Sequence, residues 1–554
     1  MDSKKSSENT VLHPLSTLRK ISRNIIHFLC SHIVSFVLGM AASVIMARSL
    51  GPNDLGIFHQ VQWFAGTASV IISLGFITSI TKFTAQFRAE GRIKDVVALI
   101  RFIFNVELAI AGMTTLGLIF LAPRIADHYF TTAQTKLFVL AFIAITPGIQ
   151  TAIFSATLEG TQIFKYQSIH SLTVTPVALL TKVFLMLNGF GLVSLFWINL
   201  IFSIVNLSFF YWASRREGLL LGWVSGEKGG PLWKKELLIY NRSSIGIHFV
   251  DLIVWSRSEN FFLGRYCSAS QIAYYNLAHN LIAKFTGTLP NLMWRILLPL
   301  SSEQQGRSEP EKMKRTYTHS LRYMAFIAFP TVVACYVASY ELIIIFYGHA
   351  YAEAKICFQI FCFGSLLSNL AQPGSAVIYA TNRQGFILRY GTVLAFLNIG
   401  LDIFLIPRYG ARGAAICYMV TTSLGVIGGF VFTTRKMGFP IPWSAWLKSG
   451  GAAGFMGLLL SYLLQIQSAA FDLFQPMQAL MLQWTGHDFD ILLSPRTVRL
   501  SFSCFVSGMA YLVIAIVLFN PKEDDRKILK ALHKFLPRPL TWIISKKLTE
   551  RKLS

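Results

Sequence analysis

The stretch Gly385–Arg435 opens with GFILRYGTVLAFLNIGLDIFLI, continues through PRYGARGA and runs on as AICYMVTTSLGVIGGFVF. The first run is long enough to cross a bilayer core, which takes roughly 20 apolar residues. Asn398 and Asp402 stand one helical turn apart on it, on the side of Gly391 and Ala395. Pro407 is expected to stop this helix, and Gly410 and Gly413 to let the chain reverse. The second run stacks Gly413, Cys417, Thr421, Gly425 and Gly429 at four-residue spacing, a small-residue face suited to close helix contact. The segment reads as two membrane helices joined by a tight turn. A carboxylate on such a helix faces a protein interior or a water-filled cavity, or else sits near the outer water. The residues alone leave both placements of Asp402 open.

Outward from this hairpin the same texture fills the chain. Of 554 residues, 53% are hydrophobic, in many separate apolar runs. That pattern marks an all-α polytopic membrane protein, not a large soluble core. A formal charge of +24 would suggest a nucleic-acid partner for a soluble chain. Here the cations fall in short loops between apolar runs, so membrane orientation accounts for them and no nucleic acid is expected. The seven cysteines mostly lie in or near apolar runs without CxxC spacing, which excludes a disulfide framework and a zinc site. No GxxxxGKS/T, HExxH or GxSxG motif occurs, so catalysis has no visible site. Neither a cofactor nor a metal is expected. The first apolar run is too long for a cleaved signal and is expected to stay as an anchor.

About fourteen spans follow, near 25–47, 56–81, 97–122, 134–158, 168–187, 191–213, 243–263, 271–299, 321–347, 352–381, 385–406, 412–434, 446–466 and 498–519. If the N-terminus is inside, the inner loops hold Lys82, Arg88, Arg92 and Lys94, then Arg215, Arg216, Lys234, Lys235 and Arg242, then Lys312, Lys314, Arg315 and Arg322. The outer loops hold scattered cations such as Arg124, Lys136, Arg265, Lys355, Arg408 and Arg412. This asymmetry places both termini in the cytoplasm.

An internal repeat divides the chain. Arg48-Ser-Leu-Gly-Pro-Asn-Asp-Leu-Gly-Ile-Phe lines up with Arg265-Tyr-Cys-Ser-Ala-Ser-Gln-Ile-Ala-Tyr-Tyr, and the turn Asn188–Gly191 parallels Pro407–Gly413. The expected plan is a cytoplasmic segment 1–24, a six-helix lobe 25–214, a cytoplasmic linker 215–242, a second six-helix lobe 243–434, two additional spans in 435–520 and a basic cytoplasmic tail 521–554. Two pseudo-repeated lobes about a central cleft is a common transporter plan. The tail carries Ile528, Leu532, Phe535 and Leu536 at helical spacing, suited to lie on anionic headgroups.

Polar side chains gather on the first two spans of each half. Span 271–299 carries Asn276, Asn280, Lys284, Thr288, Asn291 and Arg295 at steps of three or four, a stripe that must turn away from lipid. The span before it carries Ser244, His248, Asp251, Trp255 and Glu259 on one face, and Asp251 or Glu259 is placed to neutralise Lys284. In the first half Arg19, Arg23, His27, Ser31 and Ser35 form a ladder, followed by His59, Gln62, Gly66, Ser69 and Ser73 on the second span. The cavity residues expected from these faces are Arg23, His27, His59, Asp251, Glu259, Asn280, Lys284, Asn291 and Arg295. Glu107 and Asp402, ionisable groups deep in apolar runs, are the candidates for ion coupling.

The hairpin sequence LNIGLDIFLIPRYGARGAAI and the earlier Ala47–Gly56 (ARSLGPNDLG) resemble, in order and separation, segments of the polysaccharide exporters of the multidrug/oligosaccharidyl-lipid/polysaccharide (MOP) superfamily, the group that includes O-antigen flippases. The helices between them resemble that group only as a pattern. The resemblance implies a flippase and not an enzyme. It would carry undecaprenyl-pyrophosphate-linked oligosaccharide from the cytoplasmic to the periplasmic leaflet of a bacterial inner membrane, by alternating access, during synthesis of surface polysaccharide such as lipopolysaccharide O-antigen. Its partners would be the lipid-linked oligosaccharide, membrane lipids and other polysaccharide-assembly proteins. Arg23, Lys284 and Arg295 suit an anionic headgroup. Two other readings stand beside it. A drug or organic-cation exporter of the same fold calls for acidic cavity residues to dominate. A membrane glycosyltransferase or polymerase calls for acidic catalytic groups in a large outer domain.

Overall fold

The computed structural model describes residues 14–73, 75–130, 134–220, 258–383, 385–471 and 495–518, together with 237, 241 and 245. Among these every regular element is a helix. In chain order they are α1 Pro14–Ser73, α2 Phe76–Ala89, α3 Ile93–Tyr129, α4 Thr135–Ile143, α5 Ile145–Gly160, α6 Lys165–Leu172, α7 Val174–Leu187, α8 Gly191–Arg216, α9 Glu259–Tyr266, α10 Ala269–Gly306, α11 Pro310–Val337, α12 Ser339–Tyr347, α13 Ala354–Ala380, α14 Gly385–Met437, α15 Trp443–Phe471 and α16 Pro495–Leu518. Among the described residues, 8 stretches are long and apolar enough to cross a membrane, or 9 if the bent pair ending α1 and forming α2 counts as one span. Two of the long elements are double. α1 runs 60 residues but breaks at Gly51, whose φ of 73° lies where an L side chain is strained. α14 runs 53 residues, about 80 Å if straight, which is more than twice a bilayer core. It reverses at Gly410, with φ 58° and ψ −134°. The order of elements is consistent with about fourteen spans.

The reversal in α14 is written in its cross-contacts. Phe386 stacks on Phe432 with ring centroids 4.1 Å apart. The Tyr390 hydroxyl donates to the Leu424 carbonyl at 2.9 Å, and Thr421 Oγ1 donates to Asn398 Oδ1 at 2.7 Å. These pairs are centred between Pro407 and Gly410, so the two arms run antiparallel. Gly428 lies against the Tyr390 ring where a Cβ would collide with it. Small residues thus let the arms approach, as in other membrane helix pairs. Pro407 does not stop the first arm, which continues helically through it to Tyr409. Proline inside a spanning helix is commonly tolerated in membrane proteins.

The chain divides into two compact units, one reaching 256 and taking in 268–270, the other comprising 257–267 and 271 onward. In the first unit α2, α3, α5 and α8 enclose one apolar cluster around Phe83, Phe87, Ile103 and Phe154. The second half of α1 joins α3, α4, α5 and α8 around another, formed by Val61, Ala111, Phe138, Phe142 and Phe196. Gly160 permits a close approach of α5 to α2, since a Cβ there would lie 2.7 Å from the Thr81 carbonyl oxygen. Arg92 ties the start of α3 to the end of α2 by bonds of 2.7 Å to Asp95 and 2.9 Å to Glu90, and it lies over the Phe87 ring.

In the second unit α11 is the shared support of α13 and of the two additional helices, α15 and α16. Tyr511 on α16 donates to the Phe326 carbonyl on α11 at 2.6 Å. Arg499 on α16 pairs with Glu341 on α12 at 2.6 Å, both side chains largely buried. The faces left outward are apolar: Val393, Phe396 and Phe404 on α14, and Leu447 and Leu458 on α15, are all exposed. Such faces suit lipid rather than water.

Candidate functional site

The polar centre of the second unit is built where α9, the first turns of α10 and both arms of α14 meet. Asp402 is fully buried. Its Oδ2 accepts from Ser258 Oγ at 3.2 Å and from Asn398 Nδ2 at 3.2 Å, and Asn398 also donates to Ser258 at 2.9 Å. Thr421 closes the network on the far arm by its bond to Asn398 Oδ1. Each member reaches this point for a local reason. Asn398 and Asp402 share a face by their one-turn spacing, and Thr421 meets them because the hairpin reverses at Gly410. Oδ1 of Asp402 has no hydrogen-bond partner among the described residues.

A second layer lies beside it. Glu259 is buried and accepts from the Tyr275 hydroxyl at 3.2 Å, while Asn276 Nδ2 donates to Asn260 Oδ1 at 2.7 Å. Two carboxyl groups, amide oxygens and hydroxyls thus converge inside apolar walls. Such a set of hard oxygen donors can hold a proton or a small cation. Among the described residues no group of three or more His, Cys, Asp or Glu side chains stands together as a transition-metal site.

In the first unit Glu107 is also fully buried on α3, and neither carboxyl oxygen has a partner among the described residues. Gln150 on α5 is buried with both amide atoms likewise unpaired. The register of the two helices is fixed by Thr115, which meets Thr146 at 3.2 Å. Since they run antiparallel, Gln150 and Glu107 come level to within about one turn.

The residues expected from the sequence fall into three groups. Asp402 and Glu259 enter one site, and Asp402 sits inside the protein rather than near outer water. Asn280 and Lys284 are half-buried on α10, and His59 is half-buried on α1. Asp251 lies outside the described residues, and so do the side chains of Arg23, His27, Asn291 and Arg295. The stripe on α10 is divided, because Asn276 is buried and bonded to Asn260 and to the Ile272 carbonyl. Pro290 also sits inside that helix. On the second span Gln60 is buried, while Gln62 of the expected ladder is half-buried and Gly66 is exposed. Reading the sequence missed Ser258 and the role of Thr421. Their only signal was a hydroxyl at helical spacing within apolar runs.

Comparison with known proteins places this architecture. A family model described as "Polysaccharide biosynthesis protein" matches residues 45–356, and one described as "Lipid II flippase MurJ" matches residues 235–482. An uncharacterized membrane protein of Methanocaldococcus jannaschii is 21% identical over 442 residues, covering 76% of this chain and 84% of that protein. The probable flippase AglR of Haloferax volcanii is 20% identical over 410 residues, covering 72% and 80%. Among solved structures, the lipid II flippase MurJ in an inward closed conformation superposes with a TM-score of 0.67 at 16% identity, covering 89% of this chain and 98% of that one. An inward-facing multidrug resistance MATE transporter of the MOP superfamily gives 0.60 at 13% identity, covering 75% and 98%.

Proposed function

Because the chain belongs to the polysaccharide biosynthesis protein family of the MOP superfamily, and is therefore a transporter and not an enzyme, we propose that it is a flippase for a lipid-linked glycan. The match of the lipid II flippase family model over residues 235–482, beside the polysaccharide biosynthesis model over more than half of the chain, carries the reading. The relatives named as flippases and the MurJ-like fold support it. The finer proposal is that an undecaprenyl-pyrophosphate-linked oligosaccharide moves from the cytoplasmic to the periplasmic leaflet of a bacterial inner membrane, both protein termini being cytoplasmic. Loop charge supports that orientation. Other polysaccharide-assembly proteins would supply and consume the cargo.

The mechanism follows from charge and burial. A sugar-pyrophosphate headgroup is anionic and polar, and Arg23, Lys284 and Arg295 are its proposed contacts, with His27, His59, Asp251, Asn280 and Asn291 lining the path. Attraction in a poorly solvated cavity exceeds that at an exposed surface. The Asp402 centre, with Glu259, is the proposed coupling site. A proton or cation bound there changes the charge among four helical segments and so biases their packing. Glu107 is proposed as a second coupling carboxyl in the first unit.

The test is deletion of the gene in its own host, followed by measurement of surface polysaccharide and of lipid-linked oligosaccharide in the membrane. Loss of the former with build-up of the latter, reversed by the parental gene, supports the reading. Normal polysaccharide together with raised sensitivity to cationic drugs would favour the organic-cation exporter, for which the MATE-like fold speaks.

A further inference from the structure

The turn that reverses α14 also forms the wall of a cavity that the transport cycle above does not use. This cavity, about 480 Å³ in volume, lies wholly within the second unit, at the end that loop charge assigns to the exterior. Its size falls in the range of small-molecule sites. Three tyrosines line it, Tyr266, Tyr274 and Tyr409, and two of them, Tyr266 and Tyr409, are exposed. Two guanidinium groups, Arg408 and Arg412, share the lining with one carboxylate, Glu353. Glu353 pairs with Arg412 at 2.9 Å, which orients that fork, while Arg408 has no carboxylate partner among the described residues and lies over the Phe404 ring. The lining therefore carries one net positive charge.

The wall is held in shape by its own backbone. Gln271 Oε1 accepts the Ala411 N–H at 3.2 Å, and a Cβ at Gly410 would collide with that same amide oxygen. Gln271 thus clamps the left-handed turn that presents Arg408, Tyr409 and Arg412. A flat aromatic ring lies well against the C–H face of a pyranose, and its hydroxyl bonds the sugar's edge. A planar guanidinium fork matches a carboxylate. We propose that this cavity binds an acidic sugar unit of the glycan, a uronic-acid residue, on the outer face after the lipid-linked chain has crossed. The proposal rests on the lipid-linked glycan reading and adds the chemical class of one of its sugars. A phospholipid headgroup is the competing ligand, but it would bring acyl chains. The wall offers them few apolar residues, Ile406, Pro407, Ala411 and the buried Cys357, among its tyrosines and charged groups.

Cys267 lines the same cavity and is half-buried, which makes it a reporter. The full chain, with every other cysteine replaced by Ser or Ala, is placed in phosphatidylcholine nanodiscs and its Cys267 alkylation by N-ethylmaleimide is timed by mass spectrometry. Digalacturonate should slow the reaction several-fold, and neutral galactobiose much less. Arg408→Gln with Arg412→Gln should weaken the digalacturonate effect about tenfold, the loss expected when charge-assisted bonds are removed. Tyr409→Ala should weaken protection by both sugars. No protection, equal protection in the arginine variant, equal protection by galactobiose, or protection by phosphatidylglycerol nanodiscs alone would each overturn the assignment. The last of these would make it a lipid headgroup site. A deletion strain that accumulates lipid-linked glycan while digalacturonate fails to protect removes only this proposal. The opposite pair of results removes the flippase reading and leaves an acidic-sugar site.

Discussion

Asp402 shows how much a single buried carboxyl can organise. Ser258 and Asn398 occupy one of its oxygens, Thr421 fixes Asn398 from the other arm, and its second oxygen is open to a proton or ion. Asp402→Asn keeps the size and most of the bonds while removing the charge, so protein level should stay near parental and glycan transport should fall to background in a complementation assay. Parental transport by that variant would end the coupling role. Thr421→Val should cost only about 1 kcal/mol of stability, the worth of one hydrogen bond, read as a small drop in thermal midpoint. Glu107 makes a contrasting case, since both its oxygens are buried without partners. Glu107→Leu should raise thermal stability, by about 1–3 kcal/mol, because it removes an unsatisfied buried group. A lowered midpoint would mean that the carboxyl is satisfied in the membrane. Asp402, Asn398 and Glu107 were legible in the sequence because a polar residue in an apolar span stands out. Ser258 and Thr421 were not, because hydroxyls in such helices commonly bond their own backbone four residues back. Only the fold reveals which of them look outward to a partner.

At the scale of elements, the hairpin of α14 reads in the sequence as two arms that reverse through Gly410 and Gly413, and the reversal does fall at Gly410. The stop assigned to Pro407 is the part that differs, because the helix passes through that proline to Tyr409. Membrane helices tolerate proline, so its position alone does not mark their end. The assignment is testable. Gly410→Ala meets both a strained φ and the Gln271 amide, so it should cost about 1–3 kcal/mol, seen as a lower melting midpoint in detergent. Gly429→Ala, where a Cβ meets nothing within 4 Å, should shift stability by no more than about 0.5 kcal/mol. On α10 the stripe was legible by period, but its division was not. Asn276 is turned into α9 while Asn280 and Lys284 are half-buried. Single cysteines at Asn280, Lys284 and Asn291 should therefore react with small water-soluble thiol reagents, and one at Asn276 should be inert. Four inert positions, with expression intact, would turn the whole stripe into a dry seam.

For the whole molecule, composition and run length were enough to read an all-α polytopic membrane protein, the resemblance of two segments implied a transporter, and the loop charges supply its proposed orientation. The orientation is the premise on which the rest of the transport reading depends. The proposed inner side carries Arg88, Arg92 and Lys94 where α2 gives way to α3, and Lys312, Lys314 and Arg315 at the start of α11, while the proposed outer junction of α9 and α10 carries Arg265 alone. Cations near the ends of spans are retained on the cytoplasmic side during insertion, and short loops obey this most strictly. A phosphatase reporter, active only outside, and a cytoplasmic fluorescent reporter should accordingly divide the chain. Fusions after Lys94 and after Arg322 should fluoresce and lack phosphatase activity, and a fusion after Ser270 should do the reverse. The three sites sample both units, so a consistent answer cannot come from one misinserted hairpin. An inverted pattern at all three would move the Arg408–Arg412 cavity to the cytoplasm, where it would meet the glycan before transport instead of after it. It would also reverse the direction assigned to the cargo.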